Sequence, residues 1–257
     1  MKKVAIVTGG SQGIGKAIAE RLADDGFKVA VVARTSEKSQ AVVDEINKKH
    51  AKSAIAIEAD VSNRDDVKMA VKQTILIFGD LSVMVNNAGV SPITPIMEVD
   101  EETLDRTQRI NVNGVVWGIQ AAAKAFEELG HGGKIINASS QAGIVGNPNM
   151  TVYGATKFAV RGITQTTAKE LADKNITVNA YAPGTVKTPM MESQVQEQSI
   201  KTGKFPKEIE KTMAEPVALG RLAEPADIAA GVAFLAGPDS DYMTGQTLVL
   251  DGGMVFH

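Results

Sequence analysis

A doubly wound α/β fold around a parallel sheet is the fold class this sequence predicts, and three observations predict it. Seven short runs rich in β-branched and apolar residues recur along the 257 residues. Most of these runs are apolar without interruption, as strands of a parallel sheet covered on both faces must be. Longer amphipathic stretches separate them, so strand and helix alternate along the chain.

In order, the first strand falls on residues 4–7, followed by a glycine-rich turn and a helix over 16–25. A second strand at 29–32 leads to a helix at 37–49, and a third at 54–57 leads to one at 65–78. The fourth strand, 83–85, precedes a long helix over 101–128, and the fifth, 134–137, precedes a helix over 151–174. A sixth strand lies at 176–179, a last helix at 225–236 and a seventh strand at 247–250. The one compositional break is 190–216, rich in Gln, Glu, Lys and Met. Residues 188–216 read as a small helical lid over the carboxyl edge of the sheet, where ligands bind in open α/β folds. With no linker or repeat, one domain over 1–257 is expected.

Composition removes several function classes. Lys and Arg total 27 against 30 Asp and Glu, a net charge of −3. A nucleic-acid binder usually carries a basic excess, so none is expected as a partner. Cysteine is absent, which excludes disulfides, thiolate metal sites and a cysteine nucleophile. The three histidines (His50, His131, His257) lack a carboxylate spacing, so no metal site is assigned. Neither a leader pattern nor an apolar run of ~18 residues is present, so membrane and secretion are not expected and a cytoplasmic location is.

The turn after the first strand reads Thr8-Gly9-Gly10-Ser11-Gln12-Gly13-Ile14-Gly15. Glycines let the backbone approach a pyrophosphate, and the following helix N-terminus supplies N–H donors and a positive dipole end. Strand before and helix after are the context that lifts this motif above an ordinary turn. At the end of the second strand, 19 residues past Gly15, stands Arg34 where an NAD site would place a carboxylate. A guanidinium suits a 2′-phosphate, so NADP(H) is preferred, with NAD(H) as second candidate. Lys38 is a further cation nearby. Asp60 and Val61 follow the third strand, where the carboxylate suits an adenine amino group or, equally, the cap of the next helix. Asn87, Ala88 and Gly89 follow the fourth, small enough to admit a ligand to the backbone.

Tyr153 and Lys157 lie four apart on one helical face. A nearby ammonium stabilises tyrosinate and so lowers a phenol pKa from about 10. Ser140, 13 residues before Tyr153, ends the fifth strand and brings a hydroxyl to the same sheet edge. Asn111 is a polar residue in an apolar helical stretch, either functional or satisfied by its own helix carbonyls.

Together the loop at 8–15, Asn86-Asn87-Ala88-Gly89, Asn111, Ser140, Tyr153-x-x-x-Lys157, Pro183-Gly184 and Asp251-Gly252-Gly253 resemble the short-chain dehydrogenase/reductase family over essentially the entire chain. The resemblance implies a Rossmann-type sheet and carbonyl reduction. Tyr153 would protonate the carbonyl oxygen as a nicotinamide delivers hydride, and Ser140 would hydrogen-bond that oxygen. Lys157 would hold the nicotinamide ribose and lower the tyrosine pKa, while Asn111 would anchor a relay water. Ser139 competes for the serine role, but the spacing favours Ser140. Pro183, Gly184, Val186 and Thr188 are implied as further cofactor contacts.

Several stretches, among them 115–122, 131–138, 158–162 and 239–246, look like the bacterial acetoin/diacetyl reductases (2,3-butanediol dehydrogenases). That likeness implies a small carbonyl substrate, with Gln141 and Asn147 reaching the second oxygen of a vicinal diketone. Those relatives mostly use NADH with an acid where this chain has Arg34. Val186, Met190 and Met191 would form an apolar wall, suited equally to a broader ketone reductase. Other readings are a 3-oxoacyl-thioester reductase recognising an acidic carrier through Arg106 and Arg109, and a non-catalytic NADP(H) sensor. The resemblance further implies a homotetramer, with the helices over 101–128 and 151–174 in the main interface and Phe158, Val160 and Ile163 buried there. The 254–257 tail, apolar apart from its histidine, is expected to cross to a neighbouring subunit's active site.

Overall fold

Uninterrupted β-branched runs pair side by side because only a strand buried on both faces makes use of apolar residues at every position. The computed structural model describes residues 2–256, and in it all seven runs join one sheet, ordered β3-β2-β1-β4-β5-β6-β7. The strands are β1 (Val4–Thr8), β2 (Lys28–Ala33), β3 (Ala54–Glu58), β4 (Val83–Asn86), β5 (Gly133–Ala138), β6 (Ile176–Pro183) and β7 (Thr247–Leu250). Every pairing is parallel. The order reverses between β1 and β4, and the crevice at that switch point is where an open α/β sheet binds ligands.

Alternate strand residues serve two cores. On one face Ala5, Val7, Val29 and Val31 pack with Ile18 and Leu22 of α1 (Gly13–Asp24), Val42 and Ile46 of α2 (Ser36–Lys49), and Ile228 and Val232 of α9 (Pro225–Ala236). On the other, Ile6, Met84, Ile135 and Val178 meet Val71 of α3 (Arg64–Phe78), Phe126 of α5 (Gly114–Leu129) and Val160 of α6 (Thr151–Glu170).

The helices depart from the expected bounds in informative ways. The first begins at Gly13, not residue 16, so its N-terminus lies inside the glycine turn. The expected helix over 101–128 is three pieces: α4 (Glu101–Gln108), a π-helical turn (Arg109–Asn113) and α5. π turns insert an extra residue and recur at functional sites, and this one contains Asn111. The stretch over 151–174 ends its α-helix at Glu170, and Asn175 then turns the chain with φ of 56° into β6. The polar insertion folds as α7 (Pro189–Thr202) and α8 (Pro206–Ala214), both with proline in the first turn, where its missing N–H has no intrahelical partner to lose. They share a small core of their own: Met191, Val195, Ile209 and Leu222. Among the described residues no helix is long and apolar enough to cross a membrane.

Candidate active site

The sheet's carboxyl edge opens into a single cleft of about 960 Å³. Its floor is the turn between β1 and α1, where Gly9 and Gly13 take φ of 65° and 54°. A Cβ on Gly9 would lie 2.9 Å from the Ala88 Cα, and one on Gly15 would strike the Gly9 carbonyl, so neither tolerates a side chain. The Gln12 cap of α1 makes no side-chain bond to the helix. The first-turn N–H groups therefore stay available, which is the donor set a pyrophosphate needs.

Thr8 ties this turn to the next strand end. Its hydroxyl accepts from the Asn87 and Ala88 N–H groups at 3.0 and 3.1 Å and donates to the Val85 carbonyl at 3.3 Å. Around the turn, the cleft is lined by Ser11, Ile14, Arg34, Lys38, Asp60, Val61, Asn87 and Gly89, and on its far side by Pro183, Gly184, Val186 and Thr188. Asp60 does not cap α3; the Asn63 side chain does, accepting from the Asp65 N–H. Asp60 instead accepts from Ser62 at its own turn. Thr188 both lines the cleft and caps α7, accepting from the Met191 N–H. These residues fit a nicotinamide dinucleotide: a side-chain-free cradle, open donors and a cation at the β2 end.

At the other end, β5 delivers two serines with different fates. Ser139 donates to the Lys157 carbonyl at 3.0 Å and is spent on packing. Ser140 accepts from the Ala142 N–H at 3.1 Å, which leaves its hydroxyl proton free to donate. Ser140 adjoins the Tyr153 phenol and partly offsets the burial that raises its pKa above 10. The expected lowering of that pKa by Lys157 is thus not what the protein alone produces; burial raises it, and the opposing influence is Ser140. The Lys157 ammonium is itself pushed down to about 8 by burial. It donates to the Ala138 carbonyl at 2.7 Å and sits 5.6 Å from the Tyr153 ring centre.

Asn111 alone among the expected site residues does not line the cleft. It is fully buried, and its amide spans the chain rather than its own helix. Oδ1 accepts from the Val90 N–H, while Nδ2 donates to the Val90 carbonyl and the Thr156 hydroxyl. A Cβ on Gly89 would lie 3.2 Å from this Oδ1 and 3.6 Å from the Lys157 Nζ, so Asn111 and Lys157 both border Gly89.

Gln141 and Asn147 both line the cleft, and Asn147 Nδ2 donates to Gln141 Oε1 at 3.2 Å. With its oxygen so used, Gln141 offers its amide protons. Met190 is half exposed at the rim, while Val186 and Met191 are buried. Met254 lines its own chain's cleft, and the last tail residue, His257, lies outside the described residues. Val160 belongs to the intrachain core and Ile163 packs against it, because that side of α6 faces the sheet. Only Phe158 of the three expected interface residues is exposed. The sequence reading missed Tyr181, Val90 and Gln194, which also line the cleft. Only Tyr181 carried a signal, as a bulky phenol within Ala180-Tyr181-Ala182.

Such a cleft, with a dinucleotide cradle at one end and a Ser/Tyr/Lys set at the other, is that of a nicotinamide-dependent oxidoreductase. The chain belongs to the short-chain dehydrogenase family, whose model matches residues 3–199, and it acts on CH–OH groups with NAD(P)(H). It is 55% identical over 254 residues to a diacetyl reductase ((S)-acetoin forming) of Staphylococcus aureus, covering 99% of this chain and 98% of that one. It is 45% identical to an L-2,3-butanediol dehydrogenase of Corynebacterium glutamicum over the full length of both. Among solved structures, a short-chain type dehydrogenase/reductase from Mycobacterium marinum superposes with a TM-score of 0.90 at 33% identity, covering 99% of this chain and 96% of that one.

Proposed function

We propose that this chain is an NADPH-dependent carbonyl reductase that reversibly reduces small ketones and vicinal diketones, diacetyl and acetoin among them. The observation that supports this best is the meeting of Ser140, Tyr153 and the glycine turn in one cleft. When bound, NADPH supplies the hydride that reaches the carbonyl carbon. The chain's part is to hold the carbonyl oxygen between the Ser140 and Tyr153 hydroxyls, where negative charge develops, and to release the Tyr153 proton to it. Burial keeps that phenol protonated until the moment of transfer. Lys157 stands beside it to stabilise the tyrosinate, and Asn111, its side-chain amide engaged by Val90 and Thr156, would hold the relay water through its main-chain carbonyl in the π turn.

Gln141 reaches the second oxygen of a vicinal diketone; a substrate lacking it leaves a buried amide unpaired. Residues 188–216 form the lid, and Val186, Met190 and Met191 its apolar wall. The cleft's size and its methionines also favour a second reading, reduction of bulkier ketones. A carrier-bound thioester is disfavoured, since Arg106 shares an exposed helix with Glu101, Glu102 and Asp105. The preference for NADPH rests on Arg34, exposed at the cleft beside Thr35 and Lys38. The 55% identical relative forms (S)-acetoin, and the same hand is expected here. The active form is proposed to be a homotetramer with Phe158 at an interface.

The test is the initial rate of diacetyl reduction with NADPH and NADH, for the wild type and Arg34→Asp. Faster turnover with NADPH, with the preference collapsing in the variant, supports the reading. A preference for NADH makes Arg34 a surface charge. Failure on diacetyl with turnover of larger ketones moves the substrate to the second reading.

A further inference from the structure

Tyr181 is the one large phenol within the sheet, and the mechanism above does not use it. It is fully buried on β6, yet its ring lines the cleft. Its hydroxyl donates to Asn87 Oδ1 at 2.8 Å. The other end of that amide holds the glycine turn: Asn87 Nδ2 donates to the Thr8 carbonyl at 2.8 Å and to the Gly9 carbonyl at 3.3 Å. The packing around Nδ2 is close, since a Cβ on Gly9 or Gly15 would lie 3.0 or 2.5 Å from it.

These contacts allow only one orientation of the amide. Were Asn87 flipped, its oxygen would face two carbonyl oxygens, so Nδ2 must point at the turn and Oδ1 at β6. Oδ1 then faces β6, and the hydroxyl of the buried Tyr181 is its donor. Without it, the amide loses the contact on its oxygen side that fixes its rotamer.

We propose that Tyr181 is a positioning residue for the cofactor, holding Asn87 so that its amide clamps the Thr8 and Gly9 carbonyls and sets the shape of the dinucleotide turn. The coupling runs across the sheet from β6 through the end of β4 to the end of β1. It rests on the reading of the β1–α1 turn as the dinucleotide site. Tyr181 itself exchanges no proton with substrate, because its hydroxyl is engaged by Asn87 and burial pushes its pKa far up.

The experiment is calorimetric titration of NADPH into the wild type, Tyr181→Phe, Asn87→Ala and the double variant, with melting temperatures and diacetyl kcat measured beside it. Phe retains the ring, so the fold is kept. The expected result is a Kd for NADPH raised roughly three- to tenfold in Tyr181→Phe, the size of one lost buried hydrogen bond, with kcat at saturating NADPH nearly unchanged. In the Asn87→Ala background, the Tyr181→Phe change should add nothing further, as expected for two residues acting as one unit. An unchanged Kd in Tyr181→Phe, even with a lower melting temperature, overturns the proposal and leaves a merely structural bond. Additive effects overturn it too, as does a fall in kcat with Kd unchanged. Should Asn87→Ala not fold, Tyr181→Phe alone decides through its Kd. Failure of the wild type to bind either nucleotide would instead sink the dinucleotide reading itself.

Discussion

The two walls of the cleft are built differently. On the wall that carries the proposed catalytic set, each side chain stands on an element whose core is the sheet's own, and neighbouring polar groups hold it: Lys157 by Ala138, Ser140 by Ala142, Asn111 by Val90 and Thr156. The opposite wall, α7 and α8, has a small core of its own, with Ile200 and, at the start of α8, Phe205 left exposed. Its inward tie to the rest of the cleft is a bond from Gln194 to the Ser91 carbonyl. On the proposed function, rigid placement would serve the reaction, and a separately cored, weakly tied element would serve admission of substrate.

The comparison is most severely tested by Tyr153→Phe. It removes the proposed proton donor from the rigid wall, and kcat/KM for diacetyl should fall roughly 10²- to 10⁴-fold, with the NADPH Kd within about twofold. A smaller fall would mean that another group supplies the proton. Next, equal truncations should separate the walls. Ile136→Ala, in the fully buried sheet core, should cost about 2–5 kcal/mol in urea unfolding. Ile209→Ala, in the lid core, should raise the KM for diacetyl while leaving that unfolding free energy within about 1 kcal/mol. Equal losses in unfolding would show the lid to be part of one cooperative core.

A third test uses the buried Lys157, whose folded pKa of about 8 lies below the ordinary 10.5. Between those values the unfolded chain binds more protons at this group, so its contribution to stability rises with pH through that window. The unfolding free energy of the wild type should therefore gain on that of Lys157→Met from pH 8 to 10. A flat difference would mean that the ammonium is better solvated than its surroundings imply. The smallest effect belongs to Gln194→Ala, which removes the lid's bond to Ser91. KM for diacetyl should rise about two- to fivefold with kcat unchanged, the worth of one partly exposed hydrogen bond.

Much of the fold was legible because its signals are local. Seven apolar runs became seven strands, lengthened at their ends where neighbours supplied backbone partners, as at β6 through Pro183. The π turn at Asn111 was not legible, since nothing in Arg109-Ile110-Asn111-Val112-Asn113 marks an inserted residue, and the bonds Asn111 makes there run to Val90 and Thr156, far off in sequence. At the site, spacing alone separates Ser140 from Ser139, and the structure adds that Ser139 donates to the Lys157 carbonyl. The lowered Tyr153 pKa did not follow, because a charge four residues away is a local signal, whereas burial comes from every element around the pocket.

By itself, then, the sequence determined which elements form, where the glycine turn and the Ser/Tyr/Lys set fall, and the cation at the end of β2. Each depends on residue type and spacing within one element, which local sterics and periodicity dictate. Only the tertiary structure decided how groups far apart in sequence complete one another: Tyr181 with Asn87, Asn111 with Val90, Gln194 with Ser91. Those partners are chosen by the strand order, which brings β6, β4 and β1 ends to one edge, and no local preference carries that information.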